Sequence, residues 1–190
     1  MSMFCLLTSV FIFVTMRLMK KVVLILMTLT ISCSSQSYDK TVGYVDKNKF
    51  FKTWYVIAGR LTIFEKGAHN ATETYTWDEL NERINIDFRM RKDGFNGEEK
   101  TIPQKGWIHN TKTNAHWKIR PNWWPLKFDY LVIGLADDYS WTAIGVPNQK
   151  WLWIMAENPQ MSDEQLATIL DKIKSTGYSI KDVGRVPQKW

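Results

Sequence analysis

Cysteine is nearly absent. The 190 residues hold two, Cys5 and Cys33, both within the first 33 positions. Whatever folds after them has no disulfide and no thiolate to use, so its stability must come from core packing. Histidine is almost as scarce, and His69, His109 and His116 fall at no metal-ligand spacing. Acidic residues are missing from the N-terminus: none precedes Cys33, whereas Arg17, Lys20 and Lys21 lie there. Without residues 1–32, 22 basic residues face 19 acidic ones, a net charge of +3 instead of +6. With no dense Lys/Arg stripe, that balance argues against nucleic acid as a partner. Catalytic signatures are missing too: there is no G-x-S-x-G, no P-loop and no dinucleotide fingerprint. Glu98–Glu99 and Asp137–Asp138 are adjacent pairs in turn-like sequence, where neighbouring carboxylates point into water. No catalytic residue, metal or cofactor is expected, and the chain reads as a non-enzyme.

What the sequence does hold begins with a targeting segment. "MRLMKK" (16–21) is a basic start, "VVLILMTLTI" (22–31) an apolar stretch, and "TISCSS" (30–35) a run of small residues around a cysteine. This resembles the lipobox of bacterial lipoproteins, although Thr30 stands where an aliphatic residue is usual. The resemblance implies a signal peptide over 1–32 and lipidation of Cys33, the first mature residue. Ser34 implies sorting to the outer membrane, with the protein anchored there and facing the periplasm. The apolar residues 1–15 lie upstream of the charges, so translation is expected to start at Met16 or Met19. The competing reading, one uncleaved anchor from Met3 to Ile31, is interrupted by the charges at 17, 20 and 21.

Residues 33–44 are expected to be a polar tether and 45–190 a single domain. Period-two alternation dominates that domain. In "RINIDFRMR" (83–91), Ile84, Ile86, Phe88 and Met90 share one face and Asn85, Asp87 and Arg89 the other. A lipid-facing exterior is excluded by that second face, which argues against a transmembrane barrel. Comparable segments are "TWYVIAGRL", "ATETYTW", "GWIHN", "HWKIR", "YLVIGLAD", "WTAIGV" and "WLWIMAE", with Gly, Asp, Asn and Pro breaks between them. About eight short strands suggest a sandwich or barrel. The period then changes: "MSDEQLATILDKIKSTG" (161–177) spaces Leu166, Ile169, Leu170 and Ile173 as one helical stripe. Ser162 and Gln165 are placed for a capping box and Gly177 for a stop. A short final strand is expected around "VGRVPQ" (183–188).

This order, with particular motifs in it, resembles the lipocalin family, and is most similar to its bacterial outer-membrane and apolipoprotein D-like members. "TWYVIA" (53–58) resembles the G-x-W motif of the first strand. "VIGLADDYSWTAIG" (132–145) resembles the second motif, and "WLWIMAENPQMSDE" (151–164) the last barrel strand running into the helix. The resemblance covers about residues 45–188. It implies an all-β fold, an eight-stranded antiparallel up-and-down β-barrel with one C-terminal α-helix outside. Two positions depart from the family pattern. Lys52 stands for the glycine of G-x-W, and Glu157 for the arginine that covers the motif tryptophan, here Trp54. Lys52 and Glu157 are expected to pair at the closed end, with Arg185 a candidate for the missing cation.

An eight-stranded barrel has room for packed side chains or one small ligand. With Trp54 inward, as the resemblance implies, alternation puts Val56 and Ala58 inside as well. Ala71, Glu73 and Tyr75, the Ile84–Ile86–Phe88–Met90 face, and Tyr130 and Val132 complete the expected wall. Tyr130 or Arg60 is expected to meet a carboxylate or phosphate head group. In "RPNWWPLK" (120–127), prolines flank Trp123 and Trp124 and exclude helix and central strand. Lipocalin topology places this loop at the mouth with Phe64 and Phe95, so the tryptophans are expected to form an apolar lip. The function implied is binding and carriage of fatty acids, lysophospholipids or similar hydrophobic molecules for envelope maintenance. A homodimer is compatible with the sequence. Two other readings remain open: a lipocalin-fold enzyme using Glu73 with Tyr75 or Tyr130, and a structural lipoprotein with a filled barrel.

Overall fold

The computed structural model describes residues 37–190. The expected signal segment and Cys33 lie outside these residues. Eight strands form the barrel: β1 (Thr53–Arg60), β2 (Ala68–Asp78), β3 (Arg83–Lys92), β4 (Glu99–Ile108), β5 (His116–Pro121), β6 (Phe128–Leu135), β7 (Trp141–Gly145) and β8 (Leu152–Ala156). Each pairs antiparallel with the next, and β8 pairs with β1 to close the ring. A four-residue helix, α1 (Lys47–Phe50), precedes β1. The amphipathic α2 (Asp163–Ser175) and a two-residue strand β9 (Gly184–Arg185) follow β8. The fold is the barrel, outer helix and late strand that the sequence implies.

β4 is longer than its expected segment "GWIHN", because Pro103 hides its first half. Pro103 lies one position beyond the last β5 partner of β4, and its carbonyl accepts from Asn122 N–H. Its nitrogen faces the same side, where β5 has ended, so no ladder bond is lost there.

Period-two reading fails at one place on β1. Val56 pairs with Met155 and Ala58 with Ile154, so Ile57 is an extra, bulged residue. The bulge turns Ala58 outward. Val56 and Met155 belong to the barrel core, whereas Ala58 and Ile154 pack under α2. Ala58 is therefore not a wall residue. β6 carries a similar irregularity between Val132 and Gly134.

β1 pairs with β2 over only Thr53–Tyr55 and then diverges. The C-terminus fills the gap. β9 pairs with Ala58 and Gly59, Val186 N–H donates to Ile57 O, and Gln188 Nε2 donates to both Val56 O and Ala71 O. Asn70 and Lys189 exchange two further hydrogen bonds, at 2.7 Å each. The tail thus satisfies backbone groups that the splayed strands would leave unpaired.

Outside the barrel, α2 starts with the expected capping box between Ser162 and Gln165. It buries Leu166, Ile169 and Ile173 against Leu131, Ile133, Leu152 and Ile154. Gly134 and Gly145 permit the close fit: a Cβ at Gly134 would sit 2.5 Å from Ile173 Cδ1, and one at Gly145 would meet the Tyr178 ring at 2.7 Å. Burial on both faces explains why β8 reads as an unbroken apolar run. Within the segment expected as a polar tether, the chain packs on the domain from Tyr38 onward. Tyr38 is buried edge-on against Tyr178 at 4.8 Å, and Val42 N–H donates to Val132 O.

The closed end is plugged by aromatics. Phe50 of α1 is fully buried, with its ring 5.3 Å from both Trp54 and Trp117 and 5.5 Å from Tyr75. Trp54 Nε1 donates to Phe50 O at 2.9 Å and Trp117 Nε1 to Asn114 O at 2.6 Å, so both buried indoles are satisfied. Lys52 Nζ lies 3.3 Å from Glu157 and 4.5 Å from the Trp54 ring centre, and donates to Tyr139 O at 3.0 Å. The two departures from the family pattern thus meet, and Lys52 itself supplies the cation. Arg185 does not; it pairs with Asp163 at 2.6 Å. Replacing Lys52 by Met is expected to cost about 1 kcal/mol in urea unfolding. Glu157→Gln is expected to cost less than about half of that, because the Glu157 side chain is 61% exposed. Equal costs would contradict this division of roles.

Candidate ligand-binding cavity

Above the aromatic plug the barrel is hollow. A cavity of about 280 Å³ opens toward the mouth. Its walls are Ile102 and Gln104 of β4, Ile119 of β5, Phe128 and Tyr130 of β6, and Trp153 of β8. Its rim is Ile63 and Phe64 on the turn after β1, Trp123 and Trp124 after β5, and Trp151 before β8. The volume falls just under the usual 300–1,000 Å³ of small-molecule sites.

The expected wall residues divide into four groups. Glu73, Tyr130, Trp123 and Trp124 line the cavity. Val56, Ala71, Tyr75, Ile84, Ile86, Phe88, Met90 and Val132 are buried inside the barrel but pack as solid core away from it. Ala58 faces α2. Arg60 lies outside the cavity, where it donates to the backbone carbonyls of Gln149, Lys150, Ser179 and Lys181, and so ties down the chain before β8 and after α2. It cannot serve as the cation expected for a ligand head group. Of the two phenylalanines expected at the rim, Phe64 meets Trp123 edge-on at 4.9 Å, whereas Phe95 turns away against His69 at 5.1 Å. Trp123 and Trp124, 5.7 Å apart, are 52% and 40% exposed, half wall and half water-facing. Leu126 beside them is exposed as well.

Several cavity residues escaped the sequence reading. Ile102 and Gln104 were hidden with the first half of β4. Ile119 and Phe128 sit two residues from Trp117 and Tyr130 on their strands, so simple alternation would have found them. Glu65 gave no such signal. It lies in a 3-10 turn, Ile63–Glu65, that folds inward from the mouth. Its carboxylate accepts from Thr62 N–H at 2.8 Å and from Trp153 Nε1 at 3.3 Å.

Glu65 and Glu73 are the buried carboxyls of the cavity. Burial pushes both carboxyls up, Glu73 to about 8, where the charge of Glu65 adds to the effect. Tyr130 Oη donates to Glu73 Oε2 at 3.3 Å and is itself in hydrogen-bond contact with Tyr75 Oη. Burial raises both phenols well above their ordinary value, so neither ionises near neutrality. Asp129 lies at the cavity edge. Burial opposes its ionisation, but hydrogen bonds from Lys118 and His116 outweigh that and hold it low; the contacts are 2.5 and 2.6 Å. Among the described residues no group of three or more metal-ligating side chains occurs.

Chain comparisons agree with this architecture. A family model described as a lipocalin-like domain matches residues 45–188, so the chain belongs to the lipocalin family. The outer membrane lipoprotein Blc of Escherichia coli K12 is 27% identical over 158 residues, covering 80% of this chain and 86% of that protein. Its counterpart in Citrobacter freundii is 26% identical over 171 residues, 84% and 90% of the two chains. Among solved structures, lobster apocrustacyanin A1 superposes with a TM-score of 0.59 at 13% identity, covering 76% of this chain and 81% of that one. Insecticyanin of the tobacco hornworm gives 0.58 at 15%, covering 79% and 85%.

A stability prediction follows from Glu73. Its value lies near 8 in the folded protein against an ordinary 4.5, so the native state binds the extra proton between those values. Stability of the empty protein is therefore expected to fall as pH rises from about 4.5 to about 8, by up to a few kcal/mol. Glu73→Gln should flatten that slope and leave the variant more stable than the parent near pH 8. Urea unfolding across this range checks it; an unchanged slope in the variant would contradict the assignment.

Proposed function

We propose that this protein is a lipid-anchored envelope lipocalin that binds and carries single-chain amphiphiles such as fatty acids or lysophospholipids. One observation carries the reading: the barrel holds an apolar cavity of about 280 Å³ that opens between Phe64, Trp123 and Trp124. Affinity would come from burying acyl methylenes, at about 0.8 kcal/mol each. The relatives named outer membrane lipoproteins support an outer-membrane location; in this reading Cys33 is the lipidated residue and the barrel faces the periplasm. The exposed lip of Ile63, Phe64, Trp123, Trp124 and Leu126 would touch the bilayer interface while ligand transfers, as interfacial tryptophans do.

The filled-barrel reading applies only to the lower half, where the aromatic plug leaves no comparable space. The enzyme reading has one observation in its favour, the contact among Glu73, Tyr130 and Tyr75. Turnover of a lipid lost on Glu73→Gln would promote it.

Replacing Trp123 and Trp124 together by Ala is expected to slow uptake of a fluorescent fatty acid from vesicles by roughly tenfold. The melting temperature should change little, because both side chains sit at the rim. Unchanged uptake would return the two tryptophans to ordinary packing.

A further inference from the structure

The cavity has an electrostatic sign. Three of its lining residues are carboxylic, Glu65, Glu73 and Asp129, and none is Lys, Arg or His. Arg60, the nearest expected cation, is spent on backbone carbonyls outside. Asp129 is paired with Lys118, so the sign rests on Glu65 and Glu73: as they ionise, buried carboxyls without a facing cation repel an anionic head group and attract a cationic one, all the more in a low-dielectric space. The surrounding rings add to the attraction. Tyr130, Trp151 and Trp153 line the same cavity, with Tyr130 and Trp153 6.1 Å apart and Trp151 and Trp153 6.4 Å apart. A cation over such faces gains about 0.5–2 kcal/mol, and rings of this kind recognise ammonium groups.

We propose that the cavity prefers, as the buried polar end of its ligand, a protonated amine or quaternary ammonium over a carboxylate or phosphate. This rests on the ligand-carrier reading above and specifies its head group. Glu73 is the main partner. It accepts a long hydrogen bond from Tyr130, is also within reach of the Tyr75 hydroxyl, and retains acceptor capacity toward the cavity. The groups facing it are Glu65 from the turn after β1, Tyr75 from its own strand and Tyr130 from β6. None is cationic, so an incoming ammonium would be the counter-charge that lets Glu73 ionise. Anionic amphiphiles would then enter chain first, with the head group left at the mouth.

Titration of the delipidated protein with decylamine and with decanoate, read by tryptophan fluorescence near pH 8, tests this. Decylamine is expected to bind at least about tenfold more tightly. Its affinity should rise between about pH 6.5 and about pH 9, as Glu73 ionises while the amine stays charged. Glu73→Gln should abolish both the preference and the pH slope. Glu65→Gln, which removes the second carboxylate, should reduce the preference without removing the slope. Equal or tighter binding of decanoate, or a preference that survives Glu73→Gln, would overturn the proposal and leave the carrier reading standing. If neither ligand binds, the carrier reading falls and takes the proposal with it.

Discussion

Closing eight strands into a ring creates an interior that must be filled, and here aromatic stacking fills it. Phe50 enters from below and touches Trp54, Tyr75 and Trp117. Trp117 stacks on Tyr130 at 5.5 Å with the rings nearly parallel, and Tyr130 leads on to Trp153 and Trp151. The column runs from the closed end to the rim. Each contact adds about 0.5–1.5 kcal/mol beyond its area, and the rings lose little side-chain entropy on ordering. With no disulfide to help, this column and the α2 interface must carry the stability of the domain. The column also sets where the cavity lies: wide rings occupy the lower barrel, and only the space above Tyr130 and Glu73 is left open.

Much of this was legible in the sequence. Alternation in "RINIDFRMR" gave β3 and its inward face, and the Ser162–Gln165 spacing gave the start of α2. The motif resemblance ordered the strands. Three things were not legible, each for a physical reason. The Ile57 bulge reversed the facing of Ala58, because one inserted residue changes the parity of everything after it. The first half of β4 carries Pro103, a residue unusual in strands, which is tolerated because its neighbour strand has ended there. The docking of Tyr38 depends on a groove beside Tyr178 that exists only after α2 has packed. The cavity was legible in part: the tryptophan pair and Glu73 were, whereas Glu65 depends on a turn that folds over the mouth.

The acid pair at Glu65 and Glu73 is the costly feature of the structure. Two carboxyls in an apolar cavity weaken the empty protein wherever they must ionise. Nothing in the barrel packing requires them, since Gln would keep most of the same hydrogen bonds. Their placement makes physical sense if the cavity is normally occupied, and the half-exposed tryptophans at the rim point the same way. Both features disfavour an empty, water-facing barrel.

Native mass spectrometry of the protein purified from membranes without detergent exchange tests the occupied-cavity account most directly. The account predicts one bound amphiphile per barrel, with a mass consistent with a single chain. A chain that appears only at its bare mass, and stays so after incubation with single-chain lipids, would contradict it.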